Sequence, residues 1–193
     1  MKKVLIALLL ATLFLTSCGE AKIEPKLQDL PPNYTLASAK ADGCVVYEDL
    51  DITSGQEIWD AFLASAEAEK SCAVRLYFYD TLNPDLYTEE HYNELLKEYP
   101  KIHVWDLSYH KGVYRLTKLA NGAPVTEEYP YLLKSEDEAL LPSISGYSKR
   151  IVYFLSDTPE ITWLEAVASS APDTETTAYR YERVYCDLIG KEN

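Results

Sequence analysis

The sequence predicts an α+β fold, with three or four helices mainly on one face of a largely antiparallel sheet of about six or seven strands. Helical and strand patterns alternate in the first half of the chain, whereas strand patterns follow one another directly in much of the second half. Asn121-Gly122, the strongest short hairpin signal in the chain, lies among those consecutive strands. A chain of 193 residues suits one domain with a substantial core.

The first eighteen residues have the organisation of a secretion signal. Lys2 and Lys3 precede an apolar run at 4–15, and Leu-Thr-Ser-Cys ends the segment at Cys18. The run is about 12 residues, whereas a membrane-spanning helix needs roughly 20. This leader resembles that of bacterial lipoproteins. The resemblance implies removal of 1–17, a diacylglycerol on the sulfur of Cys18, and anchoring at the outer face of the cytoplasmic membrane. A retained membrane helix and a secretion signal without lipid are the alternatives.

Residues 18–33 contain three prolines and several charges without an apolar period, which predicts a flexible tether. A single domain then occupies 34–190. Thr35 is placed to cap a short helix at 36–41, which Asp42-Gly43 ends. A strand follows at 44–48 and a turn at 49–52.

The next two helices flank a strand that is apolar on both faces. Ser54 and Glu57 have the capping-box spacing, and the helix after them has an apolar stripe at Ile58, Trp59, Phe62 and Ala66. A strand is predicted at 72–80, and it could run parallel to the strand at 44–48 because a helix links the two. Thr88 starts a third helix, for which the expected buried stripe is Tyr92, Leu95, Leu96 and Tyr99.

The second half predicts strands at 101–109, 113–119 and 125–133, then a loop at 135–146 and a strand at 150–155. Asp157-Thr158-Pro159 resembles a helix entry, and the stripe of that helix is Leu164, Val167 and Ala168. A long strand at 178–189 ends the domain.

The chain is strongly acidic. It has 18 basic and 31 acidic residues and a formal charge of −13. Without Lys2 and Lys3, 16 basic residues remain against 31 acidic ones, a charge of −15. This balance argues against nucleic acid and against anionic lipid headgroups as partners, because both would be repelled. Solubility outside the cell is the simpler reason for it.

Three cysteines remain besides Cys18: Cys44, Cys72 and Cys186. An odd number allows at most one intrachain disulfide. Buried, unpaired thiols are the favoured interpretation, a single disulfide comes next, and a metal or catalytic role last, since the spacings match no zinc pattern.

The runs at 43–49, 53–60 and 74–79 resemble a family of lipoproteins and secreted proteins of Gram-positive, clostridia-like bacteria, and the resemblance extends through 105–109. It implies a location and a layout, and it assigns no functional residue.

Common catalytic and cofactor motifs are absent from the sequence. It has no Gly-x-Ser-x-Gly, no His-Glu-x-x-His, no Cys-x-x-Cys and no phosphate-binding glycine loop, so no cofactor and no metal are predicted. His91, His103 and His110 are interpreted as surface or core histidines. His103 shares a strand face with Trp105, while Asp106 points the other way.

Carboxylates offer one catalytic alternative. Asp80 and Asp106 lie in or at the end of apolar strands, where either could serve a hydrolase together with a histidine. Arg75 is the obvious partner for a purely structural ion pair.

Tyrosine and arginine suggest a binding surface. Of 16 tyrosines, several share one strand parity with arginine: Arg75, Tyr77 and Tyr79 on one strand, and Tyr179, Tyr181, Arg183 and Tyr185 on another. If helices cover one face of the sheet only, these side chains would line the open face and bind a small molecule, a glycan or a protein. The alternative is that tyrosine is simply a good residue for half-exposed strands.

The expected function is therefore that of a non-catalytic binding or interaction domain, held by lipid outside the cytoplasmic membrane. A hydrolase of wall polymer or peptide is the alternative.

Overall fold

The computed structural model describes residues 21–49, 51–138, 147–169 and 179–190, and it confirms the α+β class. Four α-helices and nine strands lie in these ranges: α1 Leu36–Ala41, β1 Val45–Glu48, β2 Asp51–Ser54, α2 Gln56–Glu67, β3 Cys72–Asp80, α3 Glu89–Leu95, β4 Lys101–His110, β5 Val113–Ala120, β6 Ala123–Tyr129, β7 Tyr131–Glu138, β8 Lys149–Ser156, α4 Trp163–Ser169 and β9 Tyr181–Ile189. The predicted leader and Cys18 lie outside the described residues. Within them, no helix has both the length and the apolar character required to cross a membrane.

The main sheet has six strands in the order β2-β1-β3-β4-β5-β6. β1 and β3 are parallel, as predicted, because α2 carries the chain back between them. The other neighbours are antiparallel and follow the chain through the hairpins β1–β2, β4–β5 and β5–β6. The Asn121-Gly122 turn joins β5 to β6, both residues with positive φ, as a two-residue hairpin turn requires.

The main sheet has the expected six strands, and the last three strands form a second sheet in the order β7-β8-β9, which the sequence did not predict. The predicted strand at 125–133 is two strands, β6 and β7, which belong to different sheets and are separated by Pro130. Proline has no backbone N–H to donate to a ladder, and it fits best where a strand ends. The predicted loop at 135–146 also begins too early, because β7 continues to Glu138.

The main core lies between the two sheets. α2 places Trp59, Phe62 and Ala66 against one face of the main sheet, which presents Val45 and Leu76 there. The second sheet contributes residues such as Leu155 and Val184 to the same cluster. Helical spacing puts the three α2 side chains on one stripe, and burying them is the main reason why so short a helix is stable here.

The opposite face of the main sheet is also covered in part, by the short helix α1. Ala39 of α1 packs there with Cys44, Val46 and Tyr77. The cause is visible in β3, where Leu76 faces the main core and Tyr77 faces α1, both fully buried. A strand that is apolar on both faces needs cover on both.

The segment predicted as a flexible tether, 18–33, is packed in the part that the structure describes from Pro25 onward. Leu27 is only 2% exposed, within a short 3-10 turn at Leu27–Asp29. The carbonyl oxygen of Pro25 accepts a hydrogen bond of 2.7 Å from the guanidinium of Arg75. The folded unit therefore begins before residue 34, because an apolar leucine and a buried arginine both find partners in this segment.

Local signals at helix ends were right twice and wrong once. Thr35 and Thr88 cap α1 and α3, each accepting a hydrogen bond from the amide three residues later. The capping box predicted at Ser54 does not form, because Ser54 ends β2 and Gly55, with φ of 82°, precedes α2 instead.

The predicted stripe of the third helix is confirmed in part: Tyr92, Leu95 and Tyr99 are half-buried, Leu96 is exposed, and no residue of α3 is fully buried. The predicted stripe of the last helix is wrong. In α4, Leu164 and Val167 are exposed, while Ala166 and Ser169 face the second sheet and its surroundings.

Candidate functional site

Arg75, Tyr77 and Tyr79, proposed from the sequence as part of an open face, lie on the covered side of β3. Arg75 is 5% exposed and Tyr77 is fully buried, beneath α1 and the N-terminal segment. Arg75 makes a bidentate ion pair with Asp106 on β4, with Nε–Oδ1 and NH2–Oδ2 distances of 2.7 and 2.9 Å. Burial alone would lower the pKa of Arg75, but the Asp106 carboxylate outweighs burial and the pKa is raised. This arginine is a structural residue.

Tyr179, Tyr181, Arg183 and Tyr185 lie in or beside β9, in the other sheet, so they share no surface with the first three residues. They do not share one face among themselves either. A bulge places Tyr185 opposite Tyr153 but Arg183 opposite Phe154, which lies on the other face of β8. One extra residue in a strand reverses every later side chain. The single open tyrosine–arginine face is therefore not formed.

A cleft of about 420 Å³ opens between the two sheets, and it is the candidate functional site. Its size falls in the range of small-molecule sites. β1, β3 and β4 supply one wall, and β9 and α4 the other. The lining residues are Tyr47, Phe78, Asp80, His103, Trp105, Trp163, Tyr181, Glu182, Arg183 and Cys186. Two residues of the predicted surface, Tyr181 and Arg183, thus line a cleft, and the other five residues of that surface do not.

Three rings form a continuous aromatic shelf on the main-sheet wall. Tyr47 stacks on Phe78 with ring centroids 4.7 Å apart and nearly parallel planes. Phe78 contacts Trp105 with a centroid distance of 4.6 Å. On the opposite wall, Trp163 meets Tyr181 edge-to-face at 5.5 Å. Flat apolar surfaces on both sides favour a ligand with an apolar part that fits between them.

The charged groups of the cleft are few and differ in their surroundings. Glu182 is neutralised by an ion pair with Lys118 of β5, and the ammonium of Lys118 also lies 4.4 Å from the centre of the Trp105 ring. This contact joins the two sheets at the side of the cleft. Asp80, by contrast, makes no ion pair in the part of the chain that the structure describes, and the same holds for Arg183.

Two acidic groups near the cleft floor stay protonated to higher pH than usual. Burial raises the pKa of Tyr47 well above its ordinary value, and its hydroxyl donates a hydrogen bond of 3.1 Å to the carbonyl oxygen of Val184. Burial also raises the pKa of the Cys186 thiol. Both groups are neutral at physiological pH, so neither supplies a nucleophile there.

The carboxylates suggested for a hydrolase are divided between two faces. Asp106 is held by Arg75 on the covered face, away from the cleft. Asp80 and His103 do line the cleft together. No hydrogen bond joins them among the described residues, and His103 is exposed at the cleft mouth.

The remaining histidines and cysteines lie elsewhere. Ser71 and Nδ1 of His110 are 2.7 Å apart at the start of β3, and His91 faces Glu94 on α3. Cys44, Cys72 and Cys186 are all free thiols; Cys44 and Cys186 are buried, as predicted, whereas Cys72 is only half-buried. In the described ranges, no group of three or more His, Cys, Asp or Glu side chains is placed to hold a metal ion.

The sequence interpretation missed most of the aromatic lining. The sequence interpretation assigns Phe78 and Trp105 only to strands, and it does not consider Trp163 or Glu182. A usable signal existed: Phe78 and Asp80 share one face of β3, as His103 and Trp105 share one face of β4. What could not be read was that β9 faces these residues, since this contact depends on how the two sheets pack.

Models of known protein families, curated proteins and solved structures were compared with the chain, and none matches it.

Proposed function

We propose that this protein is a ligand-binding protein whose inter-sheet cleft takes up a small molecule, and that lipid on Cys18 holds it at the outer face of the cytoplasmic membrane. The observation that carries the binding role is the cleft itself, open to solvent and lined by five aromatic side chains with unpaired charges among them. Tyr47 is 2% exposed, but Phe78, Trp105, Trp163 and Tyr181 are partly exposed, and aromatic rings that line a cleft in this way are typical of binding sites.

Binding is favoured over hydrolysis by the arrangement of the polar groups. A hydrolase using two carboxylates would need them to flank one bond, and of the two suggested only Asp80 reaches the cleft. His103 could act as its partner only after moving into hydrogen-bond reach. A binding role needs no such rearrangement, because the aromatic shelf is already formed.

The three tryptophans provide a direct test of binding at the cleft. Trp105 and Trp163 line it, whereas Trp59 is 1% exposed in the core between the sheets. In NMR spectra, a ligand bound in the cleft should shift the indole N–H resonances of Trp105 and Trp163 and leave that of Trp59 in place. Trp105→Phe and Trp163→Phe variants assign the signals. A panel of amino acids, short peptides and saccharides that shifts neither cleft resonance would contradict the proposal.

Membrane anchoring is tested separately. The Cys18→Ala variant should appear in the aqueous phase after detergent partitioning, whereas the unaltered protein should follow the membranes, because two or more acyl chains are needed for stable anchoring. Cys72→Ala, which removes a thiol within the domain, is the matched control and should stay with the membranes. If Cys18→Ala also stays there, the lipid assignment is wrong.

A further inference from the structure

The cleft contains two opposite charges that the protein itself leaves uncompensated. Of its charged side chains, Glu182 is paired with Lys118, which leaves the Asp80 carboxylate and the Arg183 guanidinium. Both are partly buried, and neither has an ion pair or a side-chain hydrogen bond within the described ranges. The other four arginines of the chain each pair with a carboxylate: Arg75 with Asp106, Arg115 with Glu128, Arg150 with Asp137 and Arg180 with Asp157. Within the described ranges, Arg183 is the arginine that lacks such a partner.

These two charges come from opposite walls and flank the aromatic shelf. Asp80 lies two residues after Phe78 on the same face of β3, so its carboxylate continues the line of that wall. Arg183 belongs to β9 and lies near Tyr47, where burial raises the pKa of the tyrosine and the positive guanidinium opposes part of that rise. A negative group thus lies at one side of the shelf and a positive group at another.

The chemistry of the ligand follows from the need to compensate both charges. A neutral ligand that displaced water would leave both side chains desolvated without partners, and a simple anion or cation would compensate one of them. A zwitterion compensates both. Arginine binds a carboxylate through two parallel hydrogen bonds, and an aspartate binds an ammonium group equally directly.

We propose, on the basis of the function proposed above, that the cleft binds a zwitterion of the amino-acid type, a free amino acid or a short peptide. Its carboxylate contacts Arg183, its ammonium group contacts Asp80, and its apolar side chain lies on the shelf formed by Tyr47, Phe78 and Trp105. Lys118 neutralises Glu182, so this carboxylate does not compete with Asp80 for the ammonium group.

The test compares zwitterions with derivatives that lack one of the two charges. L-leucine, L-phenylalanine and the dipeptide of leucine are compared with L-leucinamide, which has no carboxylate, with N-acetyl-L-leucine, which has no ammonium group, and with N-acetylglucosamine. Binding is followed by the resonances of Trp105 and Trp163 and by calorimetry. We expect at least one zwitterion to bind, and its singly charged derivatives to bind at least tenfold more weakly.

Two variants should each remove one of the two charge preferences and keep the other. Arg183→Gln should bind leucine and leucinamide equally, and it should still discriminate against the N-acetyl derivative. Asp80→Asn should bind leucine and N-acetyl-leucine equally, and it should still bind leucinamide more weakly than leucine. This reciprocal pattern cannot arise from misfolding. Glu57→Gln and Lys97→Gln, which alter exposed charges outside the cleft, should keep both preferences.

Three results would overturn the inference. If N-acetylglucosamine shifts the cleft resonances and no zwitterion does, the cleft binds ligands but not of this class. If leucinamide or N-acetyl-leucine binds as tightly as leucine, the two charges do not recognise the ligand. If no probe shifts Trp105 or Trp163, the binding function itself fails, and this inference fails with it.

Discussion

At the scale of single residues, the clearest division is between charges that hold the fold together and charges left for a ligand. Arg75 and Asp106 belong to the first kind, since their bidentate pair is sheltered by the N-terminal segment. Asp80 and Arg183 belong to the second. Sequence alone could suggest the Arg75–Asp106 pair, because both residues lie in apolar strands. It could not show that Arg183 is unpaired, since that depends on which strand faces β9.

The buried ion pair predicts a large loss of stability when one partner is removed. Asp106→Ala should lower the free energy of unfolding by about 3 kcal/mol, because Arg75 would remain charged and buried. The control is Glu128→Ala, which removes the partner of Arg115 from a pair with the same 2.7 Å distance but a 60% exposed carboxylate. That change should cost less than about 1 kcal/mol. Equal losses in urea denaturation would show that the burial of Arg75 has no energetic consequence.

At the scale of elements, the sequence predicted the position of most helices and strands but not the sheet that each strand joins. Periodicity is local, so β3 and the caps at Thr35 and Thr88 could be recognised. Pro130 and the bulge in β9 change which sheet or face a residue belongs to. The proline marks the end of a strand in the sequence, but the change of sheet after it and the bulge have no clear local signal. The predicted binding surface failed for this reason, although two of its residues do line the cleft.

The backbone at the start of α2 requires glycine at position 55. Its φ is 82°, and an added Cβ would lie 2.5 Å from the carbonyl oxygen of Cys44. Gly122 also has a positive φ, but an added Cβ there would meet nothing within 4 Å. Gly122→Ala should cost about 1 kcal/mol from conformation alone. Gly55→Ala should cost about 2 kcal/mol more, because the backbone must move. Thermal unfolding of the two variants compares them directly, and similar melting temperatures would contradict this account.

Whether the N-terminal segment is packed on the domain or is a flexible tether can be tested at Leu27. Leu27→Ala should reduce the free energy of unfolding by about 3 kcal/mol, as expected for a leucine buried against β4, β5 and β6. Leu86→Ala, at a position 72% exposed, should have little effect. An unchanged urea midpoint for Leu27→Ala would mean that the segment is detached in solution.

At the scale of the whole molecule, stability should decline in alkaline solution because several buried groups resist deprotonation. Burial raises the pKa of Tyr185 to about 12 and that of Cys72 to about 11. In the unfolded chain these groups titrate near their ordinary values of 10.0 and 9.0. Their contribution to stability is complete below about pH 9 and is lost as the pH rises towards 12. Urea midpoints measured from pH 8 to 11.5 should fall, and the fall should be smaller in Tyr185→Phe. A constant midpoint would exclude this linkage.

The docking of the N-terminal segment has a consequence for where the cleft can operate. Pro25 is only seven positions after Cys18, and its carbonyl oxygen is already hydrogen-bonded to Arg75. Even fully extended, that much chain reaches about 25 Å. If Cys18 carries lipid, the folded domain therefore stays close to the bilayer, and the cleft binds solutes in the thin layer beside the membrane and not further out in the cell wall.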